Sequence, residues 1–204
     1  GADFFHIDIM DGHFVHNFSL GTDVLNSIRK HISIPIEVHL QICDPARFVK
    51  LFADLNVDIL TFHVEACDRL HQMVKIIRDA GMKMGVAINP CTPISVLETI
   101  LPRLDMVNVM TVEPGFASQD FIDGVLHKIK VLRRISKLKK LDLDIAVDGN
   151  INNVTIPMAA AAGANVFILG TSSIFTSQKD LKDLTQRFKE LSCEKVREYN
   201  KEAN

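Results

Sequence analysis

Residues 4–10 read FFHIDIM, and residues 34–40 read IPIEVHL. In both stretches apolar and polar residues alternate, which is typical of a β-strand with two different faces. Similar short runs follow at residues 58–64, 82–89, 105–112, 143–149 and 165–170. Stretches with helical patterns separate these runs, so strand and helix alternate along the chain. This strict alternation predicts a parallel sheet, and a sheet with no reversal of strand order predicts an α/β fold of the (β/α)8 TIM-barrel type.

The predicted helices lie near residues 21–31, 45–55, 68–80, 94–101, 122–138 and 153–162, and a last one covers residues 179–199. Asp44 before Pro45 is typical of a helix start. Seven strands are visible in the sequence, whereas this kind of barrel closes with eight. We therefore expect the first strand and helix of the barrel to be absent from this sequence. We also expect residues 1–204 to form a single domain.

The composition of the chain excludes several classes of protein. Its 204 residues include 23 Lys and Arg against 25 Asp and Glu, for a formal net charge of −2. Such a chain lacks the basic face that nucleic acid or an anionic membrane would need. No apolar run approaches the ~20 residues of a membrane span. The four cysteines form no C-x-x-C pair, so we expect buried, reduced thiols and a cytoplasmic protein; they are Cys43, Cys67, Cys91 and Cys193.

Polar side chains near the ends of three strands share one face of the predicted sheet. Because side chains alternate along a strand, His6 and Asp8 point away from the apolar face, as do His39 and Asp148. Barrel enzymes place their active sites at the carboxyl ends of the strands. Two imidazoles and two carboxylates suit a divalent metal ion such as Zn²⁺, Mn²⁺, Fe²⁺ or Co²⁺. The alternative is a hydrogen-bonded polar core without a metal.

Other side chains point toward the same interior. His63 and Glu65 are either rival metal ligands or, as we favour, groups that orient the ligands or touch substrate. Met10 and Met110 are either core filler or an apolar wall beside the site. Five further histidines fall on predicted loops or helices and are expected to face solvent: His13, His16, His31, His71 and His127.

Glycine-containing turns follow the last three strands. Their residues are Gly115, Phe116, Ala117 and Ser118 in the first turn, Gly149 and Asn150 in the second, and Gly170, Thr171 and Ser172 in the third. Backbone N–H groups in such turns bind anions, and barrels frequently hold a phosphate group after their last two strands. We therefore expect a phosphate site here. The alternative is that these glycines only permit tight turns.

Several stretches of the chain, taken in order, match the pattern of one known family. They are residues 6–15 (HIDIMDGHFV), 38–40 (VHL), 63–65 (HVE), 89–93 (NPCTP), 110–116 (MTVEPGF) and 147–149 (VDG). In order and spacing the chain resembles the ribulose-phosphate 3-epimerase family from its first residue to about Phe175. The resemblance implies a phosphate-binding (β/α)8 barrel. It also implies an isomerase of the pentose phosphate pathway, which converts D-ribulose 5-phosphate to D-xylulose 5-phosphate.

The resemblance further implies roles for individual residues. His6, Asp8, His39 and Asp148 would hold one divalent metal ion per chain, and His39 would also contact the substrate. Asp8 and Asp148 would be an acid/base pair, one accepting the C3 proton while the other donates one, through an enediolate that the metal stabilises. The three glycine-containing turns would hold the phosphate of this phosphorylated ketose. The missing first strand would carry a serine that contacts substrate.

Some residues depart from the family pattern. Gln41 stands beside the predicted metal site where the family usually has Met, His16 replaces a proline, and Ser118 and Asn150 stand where glycine is usual. These departures leave the substrate open, and D-allulose 6-phosphate is the nearest alternative. A phosphate-barrel lyase or decarboxylase is disfavoured because none of the inward strand positions named above carries a lysine. A non-catalytic sugar-phosphate-binding protein is the alternative outside the enzymes. The resemblance leaves a homo-oligomer open.

Overall fold

The computed structural model describes residues 1–175 and 180–202. Within these ranges, seven parallel strands form one sheet in the order of the sequence. The strands β1 to β7 are Phe5–Met10, Ile36–Gln41, Ile59–His63, Lys83–Ile88, Met106–Met110, Asp144–Asp148 and Val166–Phe167. The predicted strands are therefore confirmed, although most are shorter than expected. The described residues supply seven of the eight strands of a (β/α)8 barrel, as predicted.

Helices α1 to α6 are Thr22–Arg29, Val49–Asp54, Leu70–Asp79, Leu126–Lys139, Thr155–Ala162 and Leu181–Glu202. The helix predicted at residues 94–101 is wrong, because two short 3-10 turns occupy Ile94–Leu97 and Leu101–Arg103. Pro102 explains this interruption, since a proline has no backbone N–H to continue a helical ladder. The predicted start of the last helix at residue 179 lies outside the described residues.

Two local predictions are corrected by the structure. Asp44 has a left-handed backbone with a φ of 50°, and its side chain makes no capping hydrogen bond to the helical turn that follows. The prediction of buried cysteines is also wrong, because all four free cysteines lie on loops or helices outside the strands. Cys67 is half-buried, and the exposed ones are Cys43, Cys91 and Cys193. All five histidines predicted to face solvent are exposed: His13, His16, His31, His71 and His127.

The sheet rolls up so that distant strands meet. His6 Nε2 on β1 lies 3.9 Å from Asp148 Oδ2 on β6, although four strands separate them in the sheet. Because neighbouring strands lie about 4.8 Å apart, a flat sheet would separate β1 from β6 by about 24 Å. The seven described strands therefore curl into an incomplete barrel with their polar faces inside, and β7 and β1 are its two unpaired edges.

The ladder register shows the stagger that a barrel requires. Following the paired residues from Asp8 on β1 across the sheet leads to Asp144 on β6, four residues before Asp148. Strands that tilt against the barrel axis produce such an offset. As a result the carboxyl end of β6 lies level with the middle of β1, and this offset assembles the site.

The apolar face of the sheet packs against the helices. The core contains Ile7, Val38, Leu60, Val107 and Val147 from the strands and Leu25, Phe52, Ile77, Ile129 and Ile156 from the helices. Helix α6 lies near the start of the chain on the outside of the barrel, because Lys189 Nζ on this helix donates a hydrogen bond to Asp3 Oδ1 at 2.7 Å. Among the helices that the structure describes, none is both long and apolar enough to cross a membrane.

Candidate active site

His6, Asp8, His39 and Asp148 face one another inside the barrel. His39 Nδ1 lies 3.0 Å from Asp8 Oδ1 and 3.5 Å from Asp148 Oδ2. His6 Nε2 lies 3.3 Å and 3.9 Å from the same two oxygens. One nitrogen or oxygen from each of the four residues lies within 4.8 Å of all the others. The structure thus brings together the four residues that the sequence predicted as a set.

The hydrogen bonding of this cluster fits a bound cation. His39 is fully buried, and its Nδ1 makes no hydrogen bond to any described residue although two carboxylates lie beside it. Leaving a buried polar atom unsatisfied costs about 1–3 kcal/mol. A metal ion between the carboxylates would use the free lone pair of this nitrogen. Imidazole nitrogen and carboxylate oxygen together are a donor set for divalent transition metals.

Glu37 belongs to the site but was not among the predicted site residues. It is fully buried on β2, and its Oε2 accepts a hydrogen bond from His6 Nδ1. This contact leaves His6 Nε2 to face Asp8 and Asp148. Carboxylates that hold the far nitrogen of a metal-binding histidine fix the orientation of the ring and raise its basicity. Strand alternation places Glu37 on the same face as His39, which is the signal that could have identified it.

Burial and charge shift the pKa values of the cluster in opposite directions. Burial disfavours the charged form of His39, but the close contacts and negative charges of the Asp148 and Asp8 carboxylates outweigh it and raise the pKa of His39 to about 9. Burial also opposes the charge on His6, yet Glu37 and Asp8 raise the pKa of His6 well above its usual value. Burial favours the neutral form of Asp8, but His6 and His39 hold its pKa well below the usual value. Without a cation, these shifts keep His6 and His39 protonated and Asp8 ionised at neutral pH.

Gln41 and His63 contact this cluster from the second and third strands. Gln41 Nε2 donates a hydrogen bond to Asp8 Oδ1 at 2.8 Å. His63 Nε2 lies 2.9 Å from His39 Nε2, on the side of the ring away from the carboxylates. Burial and the charge of His39 lower the pKa of His63, and the nearby Glu65 carboxylate only partly offsets them. The structure therefore places His63 behind His39 rather than among the four clustered residues.

Glu65 lies beyond His63, at the end of β3. Its Oε2 lies 3.4 Å from His63 Nδ1, and its Oε1 accepts hydrogen bonds from Asn89 N at 2.8 Å and from the Thr92 hydroxyl. Burial raises the pKa of Glu65, but the contacts with His63, Thr92 and Asn89 outweigh it and lower the value to about 2. Glu65 is therefore an ionised carboxylate that only accepts hydrogen bonds.

The two predicted methionines also lie beside the cluster. Met10 pairs with Gln41 across the β1–β2 ladder, and Met110 pairs with Asp148 across the β5–β6 ladder. Met110 is buried, and Met10 is half-buried. Both therefore border the polar residues of the barrel interior.

The turns after β5 and β6 have backbones that require glycine. Gly115 has a φ of 111°, and an added Cβ would lie 2.9 Å from Val15 Cβ. Gly149 has a φ of 116°, and an added Cβ would lie 2.4 Å from Val112 Cγ2. Ser118 and Asn150, where the family usually has glycine, also have left-handed backbones, with φ values of 64° and 52°. These turns thus keep the glycine-type geometry even where the residue differs.

The turn after β7 is shaped by its own residues. Gly170 N–H donates a hydrogen bond to Ser173 Oγ at 3.1 Å. The carbonyl oxygen of Gly170 accepts from the backbone N–H groups of Ser173, Ile174 and Phe175. Thr171 and Ser172 lie within this tight turn.

Sequence comparison supplies the family. The model of the ribulose-phosphate 3 epimerase family matches residues 1–175. The chain belongs to this family. It is 45% identical over 173 residues to the ribulose-phosphate 3-epimerase of Bacillus subtilis, a match that covers 84% of this chain and 80% of that protein. The ribulose-phosphate 3-epimerase of Buchnera aphidicola is 38% identical over 203 residues, covering 96% of this chain and 88% of the relative.

Membership of the ribulose-phosphate 3-epimerase family confirms the predicted resemblance and the predicted enzyme class, the isomerases. Solved structures of other proteins share the fold at low identity. A 3-hexulose-6-phosphate synthase from Salmonella typhimurium has a TM-score of 0.66 at 17% identity, covering 97% of this chain and 100% of that one. A tryptophan synthase α-subunit from Pyrococcus furiosus has a TM-score of 0.64 at 16% identity, covering 95% and 84%. At these identities the likeness confirms the barrel-type fold alone.

Proposed function

We propose that this protein is a metal-dependent 3-epimerase that interconverts D-ribulose 5-phosphate and D-xylulose 5-phosphate. The observation that carries the proposal is the convergence of His6, Asp8, His39 and Asp148 around His39 Nδ1, a buried nitrogen without a hydrogen-bond partner among the described residues. The names of the relatives in Bacillus subtilis and Buchnera aphidicola support ribulose phosphate as the substrate.

Asp8 and Asp148 are the proposed acid/base pair. Inverting a carbon next to a ketone requires removal of its proton on one face and return of a proton on the other. The two carboxylates reach the site from β1 and β6, strands that are separated in the sheet and meet only because it rolls up. One carboxylate accepts the C3 proton to leave an enediolate, and the other donates a proton to the opposite face. The reverse reaction exchanges their roles.

A divalent ion such as Zn²⁺, Mn²⁺, Fe²⁺ or Co²⁺, one per chain, would be held by His6, Asp8, His39 and Asp148. When bound it supplies Lewis-acid stabilisation for the negative charge that develops on the substrate oxygens. The hydrogen bond from Gln41 to Asp8 Oδ1 holds this carboxylate in place. Met10 and Met110 form an apolar wall that limits the access of water to the reacting carbon.

The phosphate of the substrate is assigned to the three turns at the ends of β5, β6 and β7. The proposed contacts are the backbone N–H groups of Gly115, Phe116, Ala117 and Ser118, of Gly149 and Asn150, and of Gly170, Thr171 and Ser172. The close approach of Gly115 to Val15 and of Gly149 to Val112 supports two of these turns as rigid, preformed loops. A fixed phosphate orients the distant C3 atom between the two carboxylates.

Solvent-deuterium incorporation at C3, measured together with metal content, tests this function. We expect about one divalent ion per chain, and exchange that falls by about 10²–10⁴ in Asp148→Asn and Asp8→Asn. The matched control is His127→Gln on the exposed surface of α4, which should exchange like the wild type. Exchange only with D-allulose 6-phosphate would correct the substrate. Sugar-phosphate binding by a metal-loaded wild type that exchanges neither sugar would instead identify a binding protein.

A further inference from the structure

A line of polar contacts leads from His39 through His63 and Glu65 to the backbone of the loop after β4: two are hydrogen bonds, and the one between them is a 3.4 Å contact of His63 Nδ1 with Glu65 Oε2. We propose that His63 and Glu65 are positioning residues that fix the tautomer of His39, so that its Nδ1 presents a lone pair to the metal ion. The proposal rests on the metal site of the proposed function and assigns the direction of each hydrogen bond behind it.

The first step concerns the two imidazole rings. His39 Nε2 and His63 Nε2 lie 2.9 Å apart, so one proton lies between them and one of these nitrogens must accept. His39 Nδ1 is the nitrogen that faces Asp8 and Asp148. A neutral imidazole with a lone pair on Nδ1 carries its proton on Nε2. His39 therefore donates and His63 Nε2 accepts.

The second step follows from the same rule applied to the next ring. A neutral His63 that accepts at Nε2 carries its proton on Nδ1. That nitrogen lies 3.4 Å from Glu65 Oε2, and an ionised carboxylate can only accept. The proton of His63 therefore points toward Glu65.

The third step concerns the other oxygen of Glu65, which faces away from His63. Oε1 of Glu65 accepts a hydrogen bond from Asn89 N at 2.8 Å, and a backbone N–H cannot become an acceptor. The Lys128 ammonium holds this loop in place, since its Nζ donates to the carbonyl oxygen of Asn89 at 2.8 Å and to that of Thr92. One end of the line is thus a fixed donor, and the other end is the metal ligand.

Replacing Glu65 by glutamine should reverse the line. The amide oxygen must face Asn89 N–H, because the amide NH₂ there would place two donors together. The NH₂ then faces His63 Nδ1, which must accept, so the proton of His63 moves to Nε2. His63 then donates to His39 Nε2, and the proton of a neutral His39 moves to Nδ1, where it blocks the lone pair that the metal requires.

The variant Glu65→Gln, made in the full chain, tests this reversal by chelator competition for Zn²⁺. We expect the Zn²⁺ affinity of this variant to fall by about 10- to 100-fold. The control Thr92→Val removes the hydrogen bond that the Thr92 hydroxyl donates to Glu65 but leaves the carboxylate an acceptor, so its affinity should stay within about threefold of the wild type. Circular dichroism of both variants checks that they fold. Wild-type affinity in a folded Glu65→Gln variant would overturn the proposal.

Nitrogen NMR of the Zn²⁺-loaded wild type, with isotope-labelled histidine, tests the tautomers without any substitution. The proposal requires a protonated Nδ1 on His63 and a protonated Nε2 on His39. A protonated Nε2 on His63 overturns it even when deuterium exchange at C3 supports the proposed epimerase. Absence of Zn²⁺ binding by the wild type would refute the metal site, and the tautomer assignment with it.

Discussion

Metal binding at this site should release protons, and the affinity for Zn²⁺ should therefore rise with pH. A metal-bound imidazole nitrogen carries no proton, whereas the metal-free His39 has a pKa of about 9 and remains protonated at neutral pH. Below that pKa, displacement of this one proton costs about tenfold in affinity for each pH unit, or about 100-fold between about pH 7 and pH 9. The raised pKa of His6 adds a second proton and makes the dependence steeper.

Calorimetry in buffers of different ionisation enthalpy measures this release directly. We expect between about one and two protons released per Zn²⁺ at neutral pH, and a log affinity that rises by the same number per pH unit. Substitution of an exposed histidine, His31→Gln, should leave both values unchanged. Proton release near zero, or an affinity that is flat from neutral pH to about pH 9, would refute the assignment of His39 and His6 as protonated, metal-competing groups.

Three further results are expected. The pKa of His39 is 6.5 in the unfolded chain and about 9 in the metal-free folded protein, so protonated His39 stabilises the fold by on the order of 3 kcal/mol below pH 6.5. This stabilisation should be lost as the pH rises toward 9, and urea unfolding measures the loss. Equal unfolding midpoints across this pH range would contradict the prediction. The lowered pKa of Glu65 has the opposite pH dependence: the ionised carboxylate stabilises the folded protein above pH 4.5, and this stabilisation should be lost as the pH falls toward about 2. Glu65→Gln should therefore make the free energy of unfolding depend less on pH in this range. Gly149→Ala should destabilise the protein by about 1–3 kcal/mol, because φ is 116° and the new Cβ would meet Val112, whereas Gly124→Ala, which meets nothing within 4 Å, serves as the control in the same urea series.

Much of the fold and the clustering of four polar side chains could be predicted because both depend on local periodicity. A strand repeats every two residues, so the sequence alone shows which side chains share a face, and His6, Asp8, His39 and Asp148 follow from that rule. The 94–101 segment could not be predicted in the same way. Its apolar spacing resembles a helix, but a following proline and the short connection leave only 3-10 turns.

The partners within the site could not be predicted because they depend on register. His6 and Glu37 are opposite each other in the β1–β2 ladder, and only this register places the carboxylate on His6 Nδ1. Similarly, the chain of paired residues across the sheet connects Asp8 with Asp144, not with Asp148. Asp148 reaches the cluster only because the strands are tilted against the barrel axis. The sequence pattern shows which residues of a strand share a face, but it does not show the register between neighbouring strands.

The buried polar atoms without a hydrogen-bond partner show where this fold bears a cost in stability. In the described part of the chain, seven buried side-chain atoms make no hydrogen bond, and all belong to residues on the inward face of β2, β3 and β5 or directly after β4: Glu37, His39, Gln41, Thr61, His63, Asn89 and Asn108. Each such atom costs about 1–3 kcal/mol unless something satisfies it, so a barrel selected for stability alone would fill these positions with apolar residues. A metal ion, substrate or ordered water inside the barrel would satisfy most of them, and Glu65 Oε2 lies 3.4 Å from His63 Nδ1. The apolar outer face of the same strands, which packs on the helices, holds no atom of this kind, so the cost is confined to the interior where the chemistry is proposed.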